Sequence, residues 1–146
     1  RRLYLSRGTA PNTRRYVEEP ELLPHLEKRG FTLLDPGTLS VQEQIDIFSG
    51  AEVIVAPHGA GLTNVAFSPP DVRVLEMFAS TYVHFGLWAI SKTLGADYRY
   101  LVAEGKGRPG GPNAGNLDDV SIPVDRVLAH VDEMLTCVRI ACCRDR

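Results

Sequence analysis

The run VIVAPHGAGLTN at positions 53–64 constrains the fold more than any other stretch of the chain. Its β-branched start predicts a buried strand, and Pro57 ends that strand before a segment with the spacing of a helix. Two glycines flank Ala60 where the chain must reverse, so the turn tolerates a positive φ or the close approach of a ligand. The sequence therefore predicts a strand, a tight turn and a helix.

Backbone N–H groups at the start of the following helix would point into this turn. Such groups have no partner within their own helix and attract anions such as phosphate. A Gly-x-Gly turn after a strand is also common without any ligand, so Gly59 and Gly61 alone leave both interpretations open. Residues elsewhere in the chain are needed to distinguish a ligand-binding turn from one without a ligand.

Strand and helix patterns alternate along the chain at short intervals. The predicted strands span residues 3–5, 31–34, 53–56, 72–75 and 98–102. The predicted helices span residues 18–29, 40–50, 61–67 and 83–94, and a last helix begins at 123. This order predicts an α/β fold with a doubly wound, Rossmann-like parallel sheet. Ligands of such sheets bind beyond the carboxyl ends of the strands.

Length and charge exclude several classes of protein. The 146 residues predict a single domain over 1–146, and the net charge of -2 argues against a general nucleic-acid-binding protein. No apolar run approaches the roughly 20 residues that span a bilayer. The chain lacks a starting Met and a signal peptide, so we expect it to be a piece of a longer protein.

Two further segments, the cysteines near the C-terminus and a glycine-rich stretch, lack the spacing of the sites that such residues often form. Cys137, Cys142 and Cys143 lack Cys-x-x-Cys spacing, which favours free thiols in a reducing compartment. The glycine-rich segment 105–116 is predicted to be a loop rather than a phosphate cradle, because no strand and helix flank its glycines.

Charged residues are expected to gather at the edge of the sheet where the turn lies. Arg7, Arg14 and Arg15 follow the first strand, and Glu76 is expected near the end of the fourth. Arginines bind phosphate oxygens, and a carboxylate can accept hydrogen bonds from ribose hydroxyls, so the set suits a nucleoside diphosphate. Each arginine could equally be a solvated surface charge, and Glu76 a polar strand end.

The residues around the turn resemble glycosyltransferase family 61. The similar residues are LSVQEQI at 39–45, Phe48, Ala51, PHGAGLTN at 57–64, Phe67 and VLE at 74–76, with Ser6, Arg7, Arg14 and Arg15 upstream. The family pattern has Asn-Glu where this chain has Glu18-Glu19. The resemblance covers residues 3 to about 100.

The resemblance implies a GT-B architecture of two Rossmann-like lobes, of which this chain is the C-terminal, donor-binding lobe. It implies transfer of a hexosyl or pentosyl unit, with inversion, from a nucleotide donor, commonly a UDP-sugar, to a glycan or glycoprotein. The acceptor-binding N-terminal lobe would then be missing. A bacterial member would act in the cytoplasm in polysaccharide biosynthesis, whereas a eukaryotic member would act in the lumen of the secretory pathway.

An inverting transfer needs a base for the acceptor hydroxyl and a positive environment for the departing diphosphate. His58 is the first candidate base, with Glu19 or Glu18 second, although His58 could instead donate to phosphate or serve the fold. The predicted substrate-binding residues are Arg7, Arg14, Arg15, Gly59, Ala60, Gly61, Leu62, Asn64 and Glu76. No Asp-x-Asp motif is present, which fits a site without a tightly bound metal and leaves a diphosphate-bound divalent cation open.

Two other functions compete with glycosyl transfer. A nucleotide-binding module that makes no product would need the same phosphate site, and only an acceptor-binding half separates it from a transferase. A phosphate-handling hydrolase is disfavoured, because the turn contains neither serine nor cysteine and no carboxylates cluster for a metal pair.

Overall fold

The computed structural model describes residues 1–8, 14–104, 115 and 117–141, with the side chains of the last helix described as far as residue 136. Within those residues, strands and helices alternate as predicted. The strands are β1 (Arg2–Leu5), β2 (Phe31–Leu34), β3 (Val53–Pro57), β4 (Arg73–Phe78) and β5 (Asp97–Val102). The α-helices are α1 (Glu19–Lys28), α2 (Val41–Phe48), α3 (Gly86–Leu94) and α4 (Val124–Ala141), and 3₁₀ helices span Pro36–Thr38 and Ala60–Phe67.

The five strands form a parallel sheet in the order β2-β1-β3-β4-β5. From β1 the chain first adds β2 on one side and then crosses to add β3, β4 and β5 on the other. The direction of winding therefore changes between β1 and β3, and connections leaving the two strands diverge at that point. The predicted doubly wound α/β fold is confirmed, and its crevice lies at the carboxyl ends of β1 and β3.

Each face of the sheet carries its own apolar core. On one face Tyr4, Val55 and Leu75 belong to a cluster that includes buried residues of α1 and α4. On the other, Ile54 and Val74 pack with residues of α2, α3 and the 3₁₀ helix Ala60–Phe67. Because both faces are covered, β3 is buried along its whole length, which explains its unbroken apolar sequence.

Local signals in the sequence set several helix ends. Ser40 accepts a hydrogen bond from the Glu43 backbone N–H while the Glu43 carboxylate accepts from the Ser40 N–H, so the predicted capping box begins α2. Gly95 ends α3 in a left-handed conformation, with φ 86°. In α1, Pro20 lies in the first turn, where a missing N–H costs nothing.

Two predicted boundaries are wrong. The helix predicted from 83 begins at Gly86, whose N–H donates to Nδ1 of His84 at 3.1 Å, so a local side-chain bond replaces the first helical turn. The fourth strand extends to Phe78 rather than ending at 75, because β5 pairs with β4 along its whole length. Glu76 is consequently an interior strand residue, not a strand end.

Some predictions fall outside the described residues. They concern the loop at 105–116, apart from Gly115, and the cysteines Cys142 and Cys143, while of Cys137 only the backbone is described. Among the helices that are described, none has the length and apolar character needed to cross a bilayer.

Candidate functional site

A cleft of about 210 Å³ lies at the carboxyl ends of β1 and β3, and we name it the switch-point cleft. Its lining comes from the last residues of β1 and β3 and from the residues that follow β1, β2 and β3. These are Leu5, Ser6, Arg7, Asp35, Pro36, Gly37, Ala56, Pro57, Gly59, Ala60, Gly61 and Leu62. The structure thus brings Arg7 together with residues 59–62 at the carboxyl edge of the sheet, where the sequence predicted that they would meet.

The absence of a side chain at Gly59 leaves room for the guanidinium of Arg7. The Arg7 Nη1 donates to the His58 carbonyl at 3.4 Å, and a Cβ atom on Gly59 would collide with Nη1 and lie 3.3 Å from Cζ. The φ of Gly59 is 178°, an extended conformation open to any residue. Of the two explanations for this glycine, close approach therefore applies and positive φ does not.

Three successive backbone donors at the turn are unused. No described residue accepts a hydrogen bond from the N–H groups of Gly59, Ala60 or Gly61, whereas the Leu62 N–H donates to the Gly59 carbonyl at 3.0 Å. The donors belong to residues that line the switch-point cleft. Adjacent unsatisfied N–H groups at a helix start form a favourable site for an anion.

The three arginines do not have equivalent positions. Burial, and secondly the neighbouring Arg14 guanidinium, lower the pKa of Arg7, so two cations lie close together beside the cleft. Arg14 adopts a positive φ of 54° and stacks 5.8 Å from the Tyr82 ring centre, and its buried Nε has no hydrogen-bond partner. Arg15 is exposed, and its backbone N–H donates to Asp119 at 2.9 Å. An anion would relieve the repulsion between Arg7 and Arg14.

Asn64 holds the turn in place rather than facing the cleft. Its Nδ2 donates to Gln44 Oε1 at 2.6 Å and to the Gly61 carbonyl at 3.1 Å. Gln44 in turn donates to the carbonyls of Pro36 and Leu39, at 3.0 and 3.1 Å. The two amides therefore tie the turn to α2 and to the opposite wall of the cleft, and substrate binding by Asn64 stays a prediction.

His58 belongs to a buried hydrogen-bonded group on the β4 side of the turn. Its Nδ1 lies 2.5 Å from Oε1 of Glu76, and the Tyr98 hydroxyl donates to Oε2 of Glu76 at 2.5 Å. Glu76 is fully buried, whereas 15% of the His58 side chain is exposed. Burial, and then the bond to Glu76, raise the pKa of Tyr98, so its hydroxyl stays protonated as the donor.

This arrangement selects one tautomer of His58. A carboxylate accepts only, so the proton of neutral His58 lies on Nδ1 and the lone pair on Nε2. No described residue forms a hydrogen bond with Nε2. The predicted contact of Glu76 with a ribose is not available in this structure, because both of its oxygens are occupied and closed to solvent. A role for Glu76 in substrate binding stays a prediction that would require this group to open.

The two candidate glutamates of α1 differ in what they contact. Glu19 accepts from the Tyr4 hydroxyl at 2.7 Å and from Ser6 Oγ at 2.9 Å, and it lines a second cavity of about 280 Å³ that Arg7 and Arg15 share. Glu18 instead accepts from Ser121 Oγ at 2.5 Å and from the Ile122 N–H at 3.2 Å, ahead of α4. Of the two, only Glu19 lies beside the arginines.

Comparison with known proteins identifies the family. The sequence profile described as Glycosyltransferase 61 matches residues 1–75, which is more than half of the chain. The chain belongs to glycosyltransferase family 61. It is also similar to the Beta-1,2-xylosyltransferase RCN11 of Oryza sativa subsp. japonica, with 38% identity over 58 residues. That match covers 38% of this chain and 11% of the rice protein, so the chain corresponds to a small part of its relative.

The family 61 match includes the switch-point cleft but ends at Leu75, one residue before Glu76. Sequence reasoning did not find the contact of Tyr98 with Glu76, since neither residue carries a motif that pairs them. It also gave Gln44 no role of its own, although its place on α2 before the turn was noted as part of the family pattern. Hydrogen bonds across 20 or more positions have no local signal.

Proposed function

We propose that this family 61 chain is the donor-binding lobe of a glycosyltransferase, which holds a UDP-sugar at the switch-point cleft. One observation carries the proposal: three unpaired backbone N–H groups and the Arg7 guanidinium converge where the sheet changes direction. Family membership supports glycosyl transfer. The partner lobe of a GT-B enzyme would bind the glycan or glycoprotein acceptor.

The cleft suits a diphosphate better than a single charge. The N–H groups of residues 59–61 can bind one phosphate, while Arg7 and Arg14 provide two positive charges beside it. Charge-assisted hydrogen bonds of this kind are about twice as strong as neutral ones. As the glycosidic bond breaks, negative charge grows on the departing diphosphate, and donors already in place stabilise that charge without reorganising.

In this proposal His58 accepts the proton of the attacking acceptor hydroxyl. Its Nε2 carries a lone pair because Glu76 holds the Nδ1 proton, and the Tyr98 hydroxyl keeps the carboxylate oriented. The same division between a base and an orienting carboxylate operates in hydrolytic triads. The acceptor oxygen attacks opposite the leaving phosphate, which gives inversion. Glu19, beside Arg7 and Arg15, is the second candidate base.

The positive charges beside the switch-point cleft also affect whether donor binding requires a metal ion. Arg7, Arg14 and the turn N–H groups supply positive potential for the diphosphate, so we propose that donor binding needs no tightly bound metal. Among the described residues, no three His, Cys, Asp or Glu side chains form a group suited to a metal ion. A divalent cation carried by the diphosphate itself is compatible with this cleft.

The name of the rice relative suggests the first donor to test. That protein is a β-1,2-xylosyltransferase, so we propose UDP-xylose, a pentose donor, ahead of hexose donors.

The experiment is calorimetric titration of the chain with UDP, ADP and GDP, using Gly59→Ala as the test variant and Gly50→Ala as its control. An alanine at 59 displaces the end of the Arg7 side chain, whereas a Cβ at Gly50 meets Arg1 at an ordinary 3.6 Å. We expect Gly59→Ala to fold normally and to bind UDP roughly 10- to 100-fold more weakly, the equivalent of one or two lost charged hydrogen bonds. Wild-type affinity in a folded Gly59→Ala variant would contradict the site.

The alternative of a nucleotide-binding module without catalytic activity is tested separately. The full-length protein is assayed for transfer from UDP-xylose to glycan acceptors. UDP binding without sugar transfer from any donor would favour the module.

A further inference from the structure

A further cleft, different from the two cavities described above, lies on the other side of His58 from the switch-point cleft. It has a volume of about 240 Å³ and is formed by β4, β5 and the start of α3. Val83 lines it together with six aromatic side chains, and we name it the aromatic cleft. The aromatic residues are Phe78, His84, Phe85, Trp88, Tyr98 and Tyr100.

Three rings of this cleft are exposed, and two of them pack against a neighbouring ring. Phe85 is 75% exposed, Tyr100 58% and Trp88 47%, an unusual grouping of apolar surface on one face. Phe85 stacks on His84 with an interplanar angle of 7°, and Tyr100 packs edge-on against Phe78. The described lining contains no Asp, Glu, Lys or Arg. Such a surface favours a neutral ligand that presents flat apolar faces.

The aromatic cleft is continuous with the proposed base. The His58 ring centre lies 5.1 Å from that of Phe78 and 5.8 Å from that of His84, and both of those residues line the aromatic cleft. His58 itself does not line the switch-point cleft, although its neighbours Pro57 and Gly59 do. The histidine therefore stands between the two clefts.

The geometry of an inverting transfer indicates which substrate, the donor or the acceptor, lies near the aromatic cleft. In an in-line displacement the acceptor oxygen approaches the anomeric carbon opposite the departing phosphate, and the base contacts that oxygen. With the diphosphate in the switch-point cleft, the acceptor lies beyond His58. The nucleoside and the sugar are attached to opposite ends of the diphosphate, so the nucleoside extends away from the acceptor.

We propose that the aromatic cleft binds the acceptor, by stacking a neutral sugar ring of a glycan against Phe85 and Trp88. The inference rests on the proposed function, because it uses the position of His58 relative to a diphosphate. It assigns part of the acceptor site to this lobe rather than to the partner lobe alone.

Trp88 reports directly on this cleft, since it is the chain's single tryptophan. The experiment measures acrylamide quenching of Trp88 fluorescence in the 146-residue chain during titration with methyl glycosides of xylose, mannose, galactose and glucose. We expect at least one neutral glycoside to protect Trp88 saturably. Methyl glucuronide, which is charged, should protect it less. The Phe85→Ala variant should bind the protecting glycoside roughly 2- to 10-fold more weakly, as expected for one lost ring contact.

Phe67→Ala is the matched control, because Phe67 is 44% exposed but lies outside the aromatic cleft. It should leave glycoside affinity unchanged. Absence of protection by every glycoside would overturn the proposal, as would an equal effect of Phe67→Ala and Phe85→Ala. Protection by UDP, competitive with the glycosides, would assign the cleft to the nucleobase and also overturn it. Calorimetry with UDP on the same samples reports separately on the switch-point cleft, so failure of the donor site is distinguished from failure of the acceptor site.

Discussion

The turn after β3 has two sides that differ in which groups they expose. The side that faces β1 exposes backbone groups: three N–H groups without a partner among the described residues, and Gly59, where the absence of a Cβ leaves room for Arg7. On its β4 side the same turn presents side chains, with His58 fixed by a buried carboxylate and surrounded by rings. A binding site made of backbone groups can form wherever glycines leave the backbone accessible and the order of the strands brings the right loops together. A side-chain site needs partners from β4 and β5 that the sequence separates widely. We therefore expect the first side to determine donor affinity and the second to determine the rate of transfer.

The largest expected effect is that of replacing His58, which should change turnover but not UDP affinity. In the full-length protein, His58→Ala should lower turnover by roughly 100- to 10,000-fold through loss of the base. Its UDP affinity should stay near that of the wild type, because His58 does not line the switch-point cleft. His25→Ala, an exposed histidine on α1, is the control. Normal turnover of His58→Ala would remove His58 from the mechanism, and an equal loss of UDP affinity would show that the two sides act as one.

The next effect tests whether Glu76 acts through His58. Glu76→Gln keeps the size of the side chain but also introduces a donor facing Nδ1, so the imidazole proton can move to Nε2. Turnover should fall roughly 10- to 100-fold, the range found when partners of metal-bound histidines are replaced. UDP affinity should not change.

The informative measurement for this variant is ¹⁵N NMR of the His58 ring, which distinguishes the two tautomers. Glu52→Gln, on an exposed carboxylate at the amino end of the sheet, controls for the loss of one charge. A slow variant whose tautomer is unchanged would point to a merely structural role, and a variant with unchanged turnover would contradict the orienting role.

The smallest effect concerns the position of the turn. Gln44→Ala removes the side chain that joins Asn64 to the carbonyls of Pro36 and Leu39. We expect a loss of stability of about 1–3 kcal/mol from the unpaired polar groups, measured by urea unfolding. UDP affinity should fall roughly 2- to 5-fold, because the donors are less preorganised. Among the described residues, the Gln42 amide bonds only to Asp46 on the surface of the same helix, so Gln42→Ala should change neither quantity.

Local patterns predicted most of the fold because they act over a few residues. The capping box at Ser40, the stop at Gly95 and the apolar run of β3 each produced the predicted element. The errors came where a distant partner decided the structure: pairing with β5 extends β4 past Glu76. The start of α3 was also predicted too early, because a bond from the Gly86 N–H to His84 takes the place of helix.

In the candidate site, too, some features were predictable from the sequence and others depended on distant contacts. By itself, the sequence predicted a parallel sheet, and with it the meeting of Arg7 and residues 59–62, because parallel strands bring their carboxyl ends to one edge. The order of the strands, and the close approach of Arg7 to Gly59, came from the tertiary structure. Only the tertiary structure decided that Glu76 is buried against His58 and Tyr98, and that the exposed rings of α3 and β5 continue from that histidine. These contacts join residues 18 to 26 positions apart, and their energies depend on burial, a property of the folded chain that no local pattern of residues specifies.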